Sequence, residues 1–239
     1  MQSWSFGILC FNEAGSLPSV YRQVCDLIAA WDLQEAEILL VDDGSTDGTG
    51  DLIRELASGD DRIKMVIHPH NQGIGAGIRS IYFNAGKDNV VFIPGDGQFD
   101  VGELKPFREF PPSTYIAFYR EENQTYNAFR NTLSWLNKAF NRLLLGLQLR
   151  DVNWVKVYKR EMLPGMRLRL QSSAIESEIC AKLAILGVRP TEVRSRYLPR
   201  RYGASKGASL RSIFRVLREL VKLFAAVTVF RFTKKKVRL

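Results

Sequence analysis

The 239-residue sequence has only three cysteines and two histidines. Cys10, Cys25 and Cys180 lie far apart, are odd in number and lack CxxC spacing, which excludes a disulfide framework and a thiolate metal site. Buried free thiols in a reducing compartment are expected. His68 and His70 flank Pro69 with no third ligand nearby, and read as loop residues rather than metal ligands. Long apolar runs are also missing: the C-terminal run Leu223 to Phe230 stops far short of the ~20 residues that cross a bilayer. Gln2, Ser3 and Trp4 lead straight into a strand-like run, so no leader is expected. Internal repeats and low-complexity linkers are absent.

Charge is present in quantity but unevenly placed. Lys and Arg exceed Asp and Glu by 34 to 25. From Arg200 to Leu239 there are 12 basic residues and one acidic residue, Glu219, leaving 22 basic and 24 acidic residues before them. A near-neutral domain with a basic end argues against a nucleic-acid-binding protein, which would carry a basic stripe across its body.

The first hundred residues alternate strand and helix. Phe6 to Phe11, Ile38 to Val41, Lys64 to Ile67 and Val90 to Ile93 read as strands. Val20, Val24, Leu27, Ile28 and Trp31 recur at helical spacing, as do Ile78, Ile81, Tyr82 and Ala85 after Gly73 and Gly75. A second helix is expected to begin near Thr46 or Asp47. Alternation of this kind predicts right-handed crossovers and a mostly parallel sheet, with ligands at the carboxyl ends of its strands. Beyond Val101 the pattern is less regular. It predicts a helix around Leu133 to Leu149, a strand-like Val152 to Tyr158 and a helix from about Ser173 to Leu186.

Three polar clusters stand at the expected strand ends: Asn12 and Glu13, Asp42 and Asp43, then Asp96 and Gln98. Adjacent carboxylates at a sheet edge can accept hydrogen bonds from a base and a ribose, although a helix-capping turn also accounts for Asp42 to Thr46. In Pro94-Gly-Asp-Gly-Gln98 the glycines open the backbone around Asp96. A carboxylate with an amide oxygen two residues on suits a hard divalent cation bridging diphosphate oxygens.

The strings VDDGSTDGT, NQGIGAG and a strand ending in GDGQ resemble the family-2 glycosyltransferases of GT-A fold. Asp151 in DVNWVKVYKR, Glu178 in AIESEI and Arg201-Tyr-Gly-Ala-Ser-Lys206 resemble the dolichyl- or polyprenyl-phosphate mannosyltransferase branch. The resemblance implies an α/β, Rossmann-like, mostly parallel sheet flanked by helices over residues 1–206. It implies that Glu13, Asp42 and Asp43, with Ser45 and Gly75 in the same strings, hold the nucleoside. Asp96 and Gln98 would bind Mg or Mn and the diphosphate, Arg120 and Arg130 would receive the acceptor phosphate, and Arg201, Ser205 and Lys206 would close over the donor. Arg suits phosphate as a bidentate fork and Lys as a point charge.

Three departures from the family pattern stand out: Leu9 replaces a proline, Pro94 replaces the first acid of Asp-x-Asp, and Phe118-Tyr119 precede Arg120 in place of Gly-Ser. The implied reaction is inverting transfer of a sugar from a UDP- or GDP-linked donor to a polyprenyl phosphate. A hydroxyl of a glycan is the alternative acceptor, with Asp100 or Glu178 as base. A catalytically weak, donor-binding scaffold is the remote one.

Residues 207–239 form the basic end. Leu210, Ile213, Phe214, Leu217, Leu220, Val221 and Phe224 make one apolar stripe, flanked by Arg211, Arg215, Arg218 and Lys222. With Lys234 to Lys236 and Arg238 following, the segment suits an anionic membrane surface or a membrane partner protein; a helix packed on the domain is the alternative. A peripheral protein on the cytosolic face is therefore expected.

Overall fold

The computed structural model describes residues 2–120, 141–142, 145–166, 168–170, 172, 174–200 and 210–233. Seven strands form one sheet: β1 (Trp4–Cys10), β2 (Ala36–Asp42), β3 (Ile63–Ile67), β4 (Asn89–Pro94), β5 (Thr114–Arg120), β6 (Lys156–Lys159) and β7 (Arg189–Ser195). Their order is β3-β2-β1-β4-β6-β5-β7. β1 pairs in parallel with β2 and β4, β2 with β3, and β5 with β7; β6 alone runs antiparallel, to both β4 and β5. The helices are α1 (Leu17–Ala30), α2 (Thr49–Gly59), α3 (Ile74–Asn84), α4 (Ile175–Ile185) and α5 (Leu210–Thr233).

The unbroken apolar run of β2 follows from burial on both faces. Ile38 and Leu40 join Phe6, Ile8, Val20 and Val24 on one side of the sheet. Leu39 and Val41 join Ile78, Ile81, Phe92, Ile179 and Leu183 on the other. Helix α3 lies so close to β1 that a Cβ on Gly77 would stand 2.2 Å from Leu9 Cδ1. The missing side chain thus makes room for the leucine that replaces the family proline.

Several expected boundaries move. Helix α2 starts at Thr49 and not at Thr46 or Asp47, because Asp47 Oδ1 accepts from Thr49 N (3.1 Å) and Gly48 is left-handed at φ +88°. Strand β6 begins only at Lys156, although the Val155 carbonyl before it already accepts from Phe118 N (3.0 Å). In the helix expected over Leu133 to Leu149, residues 133–140 and 143–144 lie outside the described residues. Asn141, Arg142 and Leu145 are helical, and Gly146, left-handed at φ +70°, ends the element before Leu147. Strands β5 and β7 were not expected at all. β7 is the sheet edge, mostly half-buried or exposed and interrupted by Pro190, so it carries no apolar alternation.

Helix α5 is a single element that packs on the domain by its C-terminal half: Leu223 and Val227 join the core beside α4, and Lys182 Nζ lies 5.3 Å from the Phe230 ring centroid.

Candidate active site

The crevice lies at the carboxyl ends of β1, β2 and β4, where a cavity of about 570 Å³ opens. The loops that form it are tied to one another through side chains. Asn12, left-handed at φ +58°, donates its backbone N–H to Ser45 Oγ (2.9 Å) and accepts from Thr46 N at Oδ1 (2.8 Å). Glu13 N donates to Thr49 Oγ1 (2.9 Å). Asp42 turns inward, its Oδ1 accepting from Ser45 N and Oγ at 3.0 and 2.5 Å. Asp42 and Ser45 therefore shape the turn, while Asp43 lines the cavity.

Asp43 is held from three sides. Its Oδ1 accepts from Gln72 N (2.9 Å) and meets His68 Nδ1 (2.8 Å), and its Oδ2 accepts from Gly73 N (2.9 Å). His68 Nε2 in turn meets Ser80 Oγ (2.9 Å) on α3. His68, in the loop after β3 as expected, is in addition a buried brace between strand end and helix. Gly44, at φ +72°, presses against the same turn; a Cβ there would stand 2.4 Å from the His70 carbonyl carbon. Gly75 is buried in the first turn of α3, behind the cavity wall formed by Gly73 and Ile74.

At the other end stand Glu13 and Asp96, with Arg200 between them. Arg200 Nη2 bonds Glu13 Oε1 and lies 3.6 Å from Asp96 Oδ2. Burial raises both carboxyls above their ordinary range. For Glu13 the bond from Ser16 and the charge of Arg200 offset this in part, and for Asp96 the Gln98 N–H and Arg200 do so. Gln98 N donates to Asp96 Oδ1 (3.1 Å), and Gln98 Nε2 donates to the Tyr197 hydroxyl (2.6 Å). Leu198 N returns a bond to the Gln98 carbonyl (3.0 Å). This clamp fastens the segment after β7 that delivers Arg200, a residue missed in sequence because its neighbour Arg201 took the family position.

The donor set fits a hard divalent cation in part. Asp96 offers a desolvated carboxylate facing the cavity, and Gln98, its amide nitrogen spent on Tyr197, offers a carbonyl oxygen. Pro94 offers nothing. Among the described residues no three His, Cys, Asp or Glu side chains gather to hold a metal. A cation here needs diphosphate oxygens and water to fill its shell, which is the usual manner of Mg²⁺.

Arg120 sits elsewhere, outside the cavity lining. Its guanidinium is engaged by Asp151, with Nε to Oδ2 at 2.7 Å and Nη2 to Oδ1 at 3.3 Å, and lies over Trp154 at 4.6 Å and Tyr197 at 5.6 Å. Burial would raise the Asp151 carboxyl, but Arg120 holds it below the ordinary value. Arg130, Arg201, Ser205 and Lys206 lie outside the described residues.

The model of the family described as Glycosyl transferase family 2 matches residues 5–152, well over half of the sequence. The chain belongs to that family. Among its family-2 relatives, an undecaprenyl-phosphate mannosyltransferase of Micrococcus luteus is 26% identical over 212 residues, covering 82% of this chain and 84% of the relative. A polyprenol monophosphomannose synthase of Mycolicibacterium smegmatis is 28% identical over 229 residues, covering 86% and 82%. Glucosyl-3-phosphoglycerate synthase from Mycobacterium tuberculosis superposes with a TM-score of 0.62 at 20% identity, covering 95% of this chain and 78% of that one. That structure holds Mn²⁺, UDP and phosphoglyceric acid. The family-2 glycosyltransferase has the expected GT-A architecture, a mostly parallel sheet flanked by helices.

Proposed function

We propose that this glycosyltransferase moves a sugar from a UDP- or GDP-linked donor to a polyprenyl phosphate, with inversion in one displacement. The observation that carries the choice of acceptor is the state of the two carboxylates available as bases for a hydroxyl. Glu178 is fully buried and accepts from Arg169 N (3.0 Å), Leu170 N (2.9 Å) and Lys182 Nζ (2.5 Å). Asp100 caps a short 3-10 turn by accepting from Gly102 N (2.9 Å). A phosphate monoester has its second pKa at about 6, so it arrives largely ionised and needs no base. The names of the polyprenol- and undecaprenyl-phosphate relatives support the same choice.

Asp43 holds the nucleoside end of the donor, with Asp42 and Ser45 stiffening the turn beneath it. Asp96 and Gln98 hold Mg²⁺ or Mn²⁺ together with the diphosphate, and the Mn²⁺ and UDP of the structural neighbour support that assignment. When bound, the cation supplies neutralising charge to the departing nucleoside diphosphate. Arg200 adds a fixed guanidinium beside it, and Arg201, Ser205 and Lys206 follow directly in sequence to close over the phosphates. Arg120 and Arg130 serve the acceptor phosphate, with Arg120 drawn from Asp151 when it arrives. Catalysis is then positioning and electrostatics.

The acceptor resides in a bilayer, and the chain works at its cytosolic face as a peripheral protein. Among the described residues no helix is long and apolar enough to cross a membrane. The test is transfer from UDP- and GDP-sugars to undecaprenyl phosphate with Mn²⁺, in wild type and in Asp100→Asn. Turnover within about twofold of wild type is expected; a loss of ~10²–10⁴-fold with donor binding intact would point to a hydroxyl acceptor.

A further inference from the structure

Helix α5 has two apolar faces, and only one of them is used. At about 100° per residue, Leu223, Ala226, Val227 and Phe230 share one side, and all four are buried against the domain. Val221, Ala225 and Phe232 fall on the opposite side, with Phe224 and Val229 at its margins. Phe232 is 79% exposed and Val221 70%. The expected amphipathic stripe ran through Val221 and Phe224. The domain has therefore packed against a different face and left Val221 and Phe224 exposed.

Exposed Lys222 and Arg231 stand between the two faces, on either flank of the outer one, and exposed Arg218 lies on the outer face itself, one turn before Val221. We propose that this outer face is a docking surface for an anionic lipid bilayer, with the helix lying flat and Val221, Phe224 and Phe232 entering the headgroup boundary. A helix of apolar face and cationic flanks binds in this way through buried apolar area and attraction to anionic lipid together. The 12 basic residues against one acidic residue from Arg200 onward supply the complementary charge. A second copy of the chain fits less well, because two such faces would bring cations of one sign together across the contact. The docking deepens the lipid-phosphate reading and rests on it for its purpose, since it carries the cavity to an acceptor held in the same bilayer.

The experiment is co-sedimentation of the full chain with phosphatidylcholine vesicles and with vesicles about one third phosphatidylglycerol. The wild type is expected to bind the anionic vesicles at least tenfold more tightly, and to lose most of that binding at ~0.5 M salt. The double variant Val221→Ser, Phe232→Ser is expected to bind at least ~10-fold more weakly, with its unfolding midpoint unchanged because both side chains face outward. Equal binding of variant and wild type overturns the proposal, as does absence of binding to anionic vesicles. So does a dimer seen by light scattering that the same variant dissociates. Turnover with a short-chain, water-soluble polyprenyl phosphate is measured alongside. Its absence in the wild type strikes the lipid-phosphate reading and leaves the vesicle result to decide the docking.

Discussion

The carboxylates Glu13 and Asp96 at the crevice and those beside β5 and in α4 are placed under opposite electrostatic conditions. At the ends of β1 and β4, burial raises Glu13 and Asp96, and the single guanidinium of Arg200 offsets it only in part. Beside β5, burial would raise Asp151 as well, but Arg120 carries it below its ordinary value. In α4, Glu178 is closed off by two backbone amides and Lys182, and Glu176 by the hydroxyls of Tyr82 (2.6 Å) and Tyr158 (2.7 Å). Acids left under-compensated at strand ends are prepared for a ligand that brings positive charge. Acids compensated from within hold the surroundings of β5 and α4 together. The same residue type thus has two roles, separated by whether its partner is already in the chain.

The largest effects should fall on either side of that line. Glu178→Gln strands the buried Lys182 ammonium and is expected to cost about 3–5 kcal/mol of stability by denaturant titration. Asp96→Asn should leave the fold as stable as before, or more so, while lowering transfer by about 10²–10³-fold. If Glu178→Gln kept full stability and lost only turnover, the division between the two groups of acids would be broken.

A smaller effect sharpens what fills the crevice. Arg200 occupies the place between Glu13 and Asp96 that a divalent cation would also seek. Arg200→Gln should therefore raise Mn²⁺ affinity of the nucleotide-free protein, read by paramagnetic resonance. It should also weaken nucleoside diphosphate binding in chelator by roughly tenfold, as loss of one charge-assisted contact would. Unchanged Mn²⁺ affinity would mean that guanidinium and cation use different oxygens.

The contrast also explains which parts were legible in sequence. The β1–β4 half announced itself because strands covered on both faces become continuous apolar runs, and because polar residues that follow them abruptly belong to the crevice. Asp43 and Asp96 were found this way. Strand β7 escaped because an edge strand needs no apolar alternation; β5 carries the same signal as β1–β4, a buried apolar run from Tyr115 to Phe118, and escaped among the prolines that precede it. Arg200 and His68 escaped for another reason. Nothing in the string marks Arg200 as the residue that reaches Glu13 and Asp96, and the His68 brace exists only once β3 and α3 are set on either side of Asp43. The basic end was legible as a helix, but its second, packed face was not, since Leu223, Ala226, Val227 and Phe230 form a stripe only after the helix is known to continue to Thr233.

The smallest effects are the most direct measure of the comparison, because they should differ in sign. A carboxyl raised in the folded state binds its proton more readily there than in the unfolded chain. Folding stability from such a group is therefore greatest at low pH and declines as pH rises through the raised value. Glu13 and Asp96 are of this kind, and Asp96→Asn should remove part of that decline in the nucleotide-free protein. Asp151 is the reverse case: its lowered value contributes stability above the ordinary range, and this is lost as pH falls through the folded value. Asp151→Asn should accordingly flatten the acid limb of the stability curve that Asp96→Asn leaves in place. Denaturant midpoints of both variants and the wild type, followed from pH 7 down to the acid transition, separate the two. Parallel curves would mean that Arg120 and Arg200 compensate their acids equally, and the distinction between the ligand-seeking crevice acids and the self-satisfied Asp151 would fall.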